Sequence, residues 1–364
     1  MLQIIRKHDR YSRLADNVLI GRPLTHEQAL SIVNAPDDEL LDILAAAYRV
    51  RHERFGNTVQ LHFLMNAKSG LCPEDCSYCS QSKVATSEIP RYNLLNREKL
   101  MAGAKAAHER KARTYCMVIS ARGPNEGEIR TVEEIVPQIK AAYPLRICVS
   151  MGLLTDEQAR RLRACGVDRV NHNVNTSPEH YAKICTTHTY DDRLATIRAV
   201  KSAGLEICCG GIVGMGERPD DVVRMALELR EIGAESIPVN FLIPIEGTPL
   251  AISKPSPSGR GLGEGNLPLP LGEGRGEGAL EKITATALNP RYCLKVLAMA
   301  RLTNPTSEIR VAAGREIHLR SLQPLALYAA NSLFVGDYLT TDGQPPQEDY
   351  EMLEDLGFEI APAR

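Results

Sequence analysis

The strongest constraint on the fold of this chain is an alternation. Eight short apolar runs rich in β-branched residues recur along it. They are "TVQLHFLM" (58–65), "TYCMVIS" (114–120), "RICVSMG" (146–152), "DRVNHNV" (168–174), "LEICCGGIVG" (205–214), "SIPVNFLI" (236–243), "EIRVAAG" (308–314) and "SLFVGDYL" (332–339). Between most of them lie segments with apolar residues at helical spacing, such as "NREKLMAGAKAAHERKA", "TVEEIVPQIKAAY" and "PDDVVRMALELREIG", with Gly166, Gly204 and Gly233 as stops. Eight strands joined by helical crossovers predict an α/β fold, a (β/α)8 TIM-type barrel over 55–345. A doubly wound sheet is the plainer rival, and either arrangement collects its chemistry at the carboxyl ends of the strands. Two amphipathic helices over 25–54, started by Thr25 and the Asp37-Asp38 pair, give an N-terminal helical extension (1–54). A C-terminal helix or tail (346–364) follows the barrel.

One segment stands outside this pattern. Residues 253–278, "SKPSPSGRGLGEGNLPLPLGEGRGEG", are nearly half Gly and Pro and contain near-repeats of "GLGEG". Such a stretch buries too little apolar surface to offset its ordering entropy, and reads as a disordered insertion in the barrel. The rest has the composition of a soluble globular protein, at 43% hydrophobic and 24% charged residues. A formal net charge of −2 and the absence of tryptophan argue against a nucleic-acid partner. No run is apolar enough for a signal peptide or a membrane span, so the expectation is a cytoplasmic protein whose ten cysteines stay reduced.

Three of those cysteines sit in "SGLCPEDCSYCSQS" (69–82), as Cys72, Cys76 and Cys79. The spacing is CxxxCxxC, directly after the first strand. A zinc ribbon would add a second cysteine or histidine pair downstream, and none comes. A disulfide would leave one thiol over. The remaining reading is a three-thiolate metal site with one position open, as in an iron–sulfur cluster lacking its fourth protein ligand.

The other cysteines divide by element. Cys116, Cys148 and Cys208 lie within the second, third and fifth strands. Each alone reads as a small buried hydrophobe; together, on strands that share one interior, they suggest a second thiolate site. Arg310, mid-strand in "EIRVAAGRE", needs a buried partner, and a thiolate-bound anionic cluster is one. Cys209 should face away from Cys208, while Cys165, Cys185 and Cys293 read as packing residues.

These features resemble the biotin synthase family of radical S-adenosylmethionine (SAM) enzymes. The resemblance is carried by "SGLCPEDCSYCSQS", "YCM" (115–117), "ICVSMG" (147–152), "VNHNVNTSPEHY" (170–181), "CCGGIVGMGE" (208–217), "IEGTPLA" (245–251), "IRVAAGRE" (309–316) and "LTTDGQ" (339–344). It implies a 4Fe-4S cluster on Cys72, Cys76 and Cys79 that cleaves SAM to a deoxyadenosyl radical. It further implies a 2Fe-2S cluster on Cys116, Cys148, Cys208 and Arg310 whose sulfur enters dethiobiotin, making the chain a sulfurtransferase that forms biotin. An electron donor of flavodoxin or ferredoxin type, iron–sulfur assembly proteins and a homodimer come with the family.

Asn171, Asn173 and Asn175 alternate along the fourth strand and so share a face. By resemblance, Asn171, Asn173 and Asn240 contact the ureido ring, and Asn173 with Asn175 the SAM ribose, although relatives carry aspartate at Asn175. Tyr78, His188 and Gly214 are further SAM contacts; His188 stands where relatives have an arginine for the SAM carboxylate. Thr340 and Thr341 are expected to cap a helix and meet the substrate carboxylate. Two other readings compete. A lipoyl synthase-like chain would need a cysteine cluster before Cys72, and a hydrogenase maturase-like one need not keep Arg310 with three strand thiols. A non-enzymatic iron–sulfur carrier has no use for strand-end asparagines.

Overall fold

The computed structural model describes residues 2–252 and 285–362; the Gly/Pro-rich stretch 253–278 lies outside the described residues. Nine strands form a closed, all-parallel barrel: β1 (Thr58–Lys68), β2 (Thr114–Ile119), β3 (Arg146–Ser150), β4 (Arg169–Asn171), β5 (Glu206–Cys208), β6 (Gly211–Val213), β7 (Ser236–Phe241), β8 (Glu308–Val311) and β9 (Ser332–Phe334). β9 pairs with β1 through Gln60 and Ser332, which closes the ring. A short β10 (Glu359–Ile360) pairs with the start of β1 outside it. The rival doubly wound sheet is thereby excluded.

All eight expected runs carry strands. The fifth is split, and the cause is local. β5 meets β7 only at Cys208 and Ser236, and pairing resumes as β6 at Gly211 and Val239. The gap lies beside Pro238, which has no N–H to give the ladder. Gly210 fills it because a Cβ there would lie 2.0 Å from the Pro238 carbonyl oxygen.

The crossover helices begin where side chains can cap them. Asn125 and Glu128 form a reciprocal capping box on Glu126–Ala142, Thr155 and Gln158 on Asp156–Ala164, and Thr189 and Asp192 on Tyr190–Ser202. Each cap contributes about 1 kcal/mol by satisfying N–H groups that the first turn leaves open. At the other end, Gly233 takes φ 66° and closes Pro219–Ile232 in left-handed backbone that only glycine adopts without strain. In the N-terminal part, Thr25 caps His26–Val33 as expected, whereas Asp37–Glu39 form a 3-10 turn before Leu40–Phe55. An additional helix, Leu2–Leu19, packs against Leu40–Phe55, which in turn lies on Pro290–Thr303.

Strand register decides which side chains share the barrel interior. Cys116 pairs with Cys148, Cys148 with Arg169, and Asn171 with Cys208. Ser236 pairs with Glu308, and Arg310 with Ser332. Thiols, two arginines and a glutamate therefore lie within adjacent tiers of one interior, ready to form a site.

Candidate active site

The lowest tier is a cavity of about 120 Å³ whose lining includes Cys116, Cys148, Cys208, Arg310, Asn171, Asn173 and Asn240. All four of the expected strand residues for a second cluster meet here. Contact with Cys116, together with burial, pushes the Cys148 thiol well above its ordinary pKa. Cys208 Sγ lies 3.6 Å from Arg310 Nη1 and 3.3 Å from Asn171 Nδ2. Cys209, on the opposite strand face, is buried among apolar side chains, as alternation requires.

Arg310 is 3% exposed and is held from behind. Its Nη2 donates to Ser236 Oγ at 2.9 Å and pairs with the Glu308 carboxylate, while His62 Nε2 lies 2.8 Å from Glu308 Oε1 and 3.1 Å from Arg310 Nη2. Glu308 also accepts from Arg169 at 2.9 Å. Burial opposes its charge, but the cations beside it keep its carboxyl well below the usual range. Burial, and then Arg310, hold His62 at a pKa of about 3, so it is neutral. One nitrogen of Arg310 is thus anchored, Nη1 faces the thiols, and buried Nε has no partner among the described residues. A buried N–H without an acceptor costs about 1–3 kcal/mol. Three converging thiols and an under-satisfied guanidinium fit an anionic sulfide cluster in this cavity.

The asparagines line the same cavity and the one above it. Asn171 Nδ2 donates to Asn173 Oδ1 at 3.3 Å, and Asn173 Oδ1 also accepts from Gly210 N at 3.0 Å. Among the described residues, Asn171 Oδ1 and Asn173 Nδ2 keep no protein partner, and both residues line the cavity. Asn240 spends one donor on Gly211 O and accepts from Ala313 N. An acceptor beside a donor is the complement of a urea edge.

The top of the site is a cavity of about 290 Å³ that shares Asn171, Asn173 and Asn240 with the lower one. Cys72, Cys76 and Cys79 line it, together with Tyr78, Asn175, His188 and Arg193. Their loop after β1 is fastened by the two acids inside the motif. Asp75 accepts from the Thr186 and Thr187 amides at 3.0 and 3.2 Å. Burial works against its charge, yet the Thr186 hydroxyl and amide, with Cys185 and the Thr187 hydroxyl, hold its carboxyl well below the ordinary range. Glu74 pairs with Arg122 at 3.0 Å and meets His188 Nδ1 at 2.5 Å. Burial pushes Cys79 up to about 11, so the metal-free thiol keeps its proton. Three thiols around a roomy cavity fit a cluster with one iron left for a small-molecule ligand.

Asn175 takes φ 70° and donates to the Tyr78 hydroxyl at 2.7 Å. Asparagine tolerates this left-handed backbone better than most residues. Thr340 and Thr341 line an adjoining cavity of about 220 Å³, with Thr340 Oγ1 2.9 Å from Ser80 Oγ. The expected helix cap at these threonines is not formed: the next helix starts only at Pro346, after Pro345. Gly214 lies outside the cavity lining, which on this strand is Ile212. Its N–H donates to Glu217 Oε1 at 2.6 Å, in a tight turn.

Several site residues escaped the sequence reading. Half-buried Arg193 and buried His62, Arg169 and Glu308 are charged or titratable groups whose positions give no local motif; a charged residue inside an apolar strand was the available signal for the last two. Cys185, expected to be packing, is buried but also lies 3.7 Å from Cys76 Sγ.

A closed parallel barrel bearing a three-thiol loop after β1 is the framework of a radical SAM enzyme, and residues 68–229 match the Radical SAM superfamily model. Residues 277–359 match the Biotin and Thiamin Synthesis associated domain. Biotin synthase from Rhodopirellula baltica is 57% identical over 96% of this chain and 89% of its own length. Those from Anoxybacillus flavithermus and Bacillus subtilis are 53% and 48% identical, with 97% and 96% of their lengths covered. The chain belongs to the biotin synthase family. In fold it is similar to methylornithine synthase, with TM-score 0.75 at 21% identity over 96% of this chain and 98% of the other. It is also similar to a hydrogenase maturase from Carboxydothermus hydrogenoformans, with TM-score 0.73 at 19% identity over 97% and 79%.

Proposed function

We propose that the stacked cavities bind dethiobiotin between two iron–sulfur clusters and convert it to biotin. The observation that carries the reading is the convergence of Cys116, Cys148, Cys208 and Arg310 on one cavity with Asn171, Asn173 and Asn240. Cys72, Cys76 and Cys79 would hold the 4Fe-4S cluster, and Cys116, Cys148, Cys208 and Arg310 the 2Fe-2S cluster. When bound, the first with SAM supplies a radical that removes hydrogen from carbon, and the second supplies sulfur.

The chain's own residues position and insulate. Asn171 Oδ1 accepts from a ureido N–H, and Asn173 Nδ2 donates to the ureido oxygen, a match that a non-enzymatic carrier would not need. Glu308 and Ser236 hold one end of Arg310, which leaves Nη1 facing the lower thiols. At the top, His188 accepts from Arg193 Nη2 at 2.9 Å through Nε2, which puts its proton on Nδ1, toward Glu74. Arg193 then provides a fixed cation for the SAM carboxylate. Tyr78 and Asn175 line the ribose side, with Thr340 and Thr341 offering hydroxyls to the substrate carboxylate. Apolar Leu64, Val118, Phe334 and Leu339 help keep water from the lower cavity.

A flavodoxin- or ferredoxin-type donor, iron–sulfur assembly proteins, a homodimer and a cytoplasmic location accompany this reading. Among the described residues no helix is long and apolar enough to cross a membrane. The test is anaerobic reconstitution with iron and sulfide, then SAM, reductant and dethiobiotin. Biotin together with deoxyadenosine is expected; deoxyadenosine without biotin would remove the substrate assignment.

A further inference from the structure

We infer that Cys76, Cys185 and His188 form a binding site for one zinc-type divalent ion in the cluster-free chain. Cys185 follows the short helix Pro178–Ile184, which delivers its sulfur 3.7 Å from Cys76 Sγ. His188 Nδ1 stands 3.2 Å from Cys185 Sγ. One donor atom from each residue lies within 4.8 Å of the others, and all three residues are buried. The surroundings are polar rather than those of a packing cysteine: Asp75 Oδ1 is 3.3 Å from the Cys185 sulfur and Thr187 Oγ1 is 3.7 Å away.

The separation of the sulfurs identifies the kind of ligand. Two thiolates held about 2.3 Å from one tetrahedral ion lie roughly 3.8 Å apart. The pair already has almost that spacing, so one ion can bridge it with little movement. Two thiolates and an imidazole form a borderline-soft donor set, suited to zinc rather than to magnesium or calcium. The fourth position falls to a water or to a neighbouring carboxylate. Binding consumes the ion, both thiols and the Nδ1 lone pair, and releases two thiol protons. The ring proton of His188 moves to Nε2, and the contact with Arg193 opens.

Cys76 belongs to this set and, on the proposed function, to the upper cluster. The two occupants therefore exclude each other, and a bound ion blocks insertion of the 4Fe-4S cluster. Only that competition rests on the proposed function; the ion site can be tested without it.

The test uses the full chain, stripped of iron by chelation and kept reduced with a phosphine, with cobalt(II) as a coloured probe that zinc then displaces. One tetrahedral cobalt with thiolate charge-transfer bands is expected. Cys185→Ala should weaken binding about tenfold or more, while Cys72→Ala leaves the affinity unchanged. Thermal melts without metal check that each variant folds. An unchanged affinity in Cys185→Ala, or an equal loss in Cys72→Ala, would assign the ion to the motif's own thiols and overturn the inference. A chain that binds cobalt as expected but never builds a cluster from iron and sulfide would instead overturn the proposed function.

Discussion

The two thiol sites of this barrel are built by opposite means. The upper one is local: eight consecutive residues of a loop supply Cys72, Cys76 and Cys79, and the loop is held in place by Glu74 and Asp75. The lower one is distributed over four strands, and its members meet only through register, as in the pairing of Cys116 with Cys148. A loop can adjust around its ligand, whereas a strand tier is fixed before any ligand arrives. The difference suggests a division of labour: the upper site admits and releases a small molecule at its open iron, and the lower site holds its atoms rigidly beneath the substrate.

Substitutions should separate the two. The largest effect is expected from Cys76→Ala, which removes one of the three thiols proposed to hold the upper cluster. Deoxyadenosine and biotin should both vanish, while 2Fe-2S absorption persists in the reconstituted protein. Cys148→Ala should do the reverse, abolishing biotin while SAM cleavage continues, measured as deoxyadenosine by chromatography. Equal loss of both products in both variants would erase the distinction.

Next in size is Glu308→Gln, which leaves Arg310 and Arg169 without their shared carboxylate. Breaking such a buried pair costs about 3–5 kcal/mol of stability, seen as a lower melting temperature. The effect should be confined to the lower site: a changed 2Fe-2S spectrum with the 4Fe-4S signal intact. Glu308→Asp, which keeps the charge, should restore part of both.

Asn173→Ala, between the tiers, should raise the KM for dethiobiotin by roughly ten- to a hundredfold, the effect of about 1–3 kcal/mol from an unmet polar contact. Steady-state kinetics at saturating SAM would measure it.

The smallest effect concerns pH. Burial, and then Arg193, hold His172 well below the ordinary imidazole pKa, and its Nε2 has no partner among the described residues. The unfolded chain therefore binds a proton that the folded chain refuses. Its contribution to stability is full above the unfolded value, near 6.5, and falls as pH drops below it. Denaturant melts from about pH 7 to about pH 5 should show a shallower loss in His172→Asn than in the parent.

The comparison also explains what could be read from the sequence. The upper motif was legible because its three thiols are neighbours in the chain. The barrel was legible because eight apolar runs alternate with helical segments. The lower tier was legible in part, since three strand cysteines and Arg310 could be assigned to one interior by alternation. Its supports were not: Glu308 and His62 matter only through contacts made across the barrel. Cys185 looked like packing because its partner, Cys76, is 109 positions away. Thr340 and Thr341 were misjudged as a helix cap because Pro345 and Pro346 defer the helix.

The most direct test of the two-tier account is a single-turnover experiment. The chain is reconstituted with iron and isotopically labelled sulfide, freed of excess sulfide, and given SAM, reductant and dethiobiotin. Biotin carrying the label, formed by the parent and not by Cys148→Ala, is the predicted result. Unlabelled biotin, or labelled biotin from Cys148→Ala as well, would contradict it.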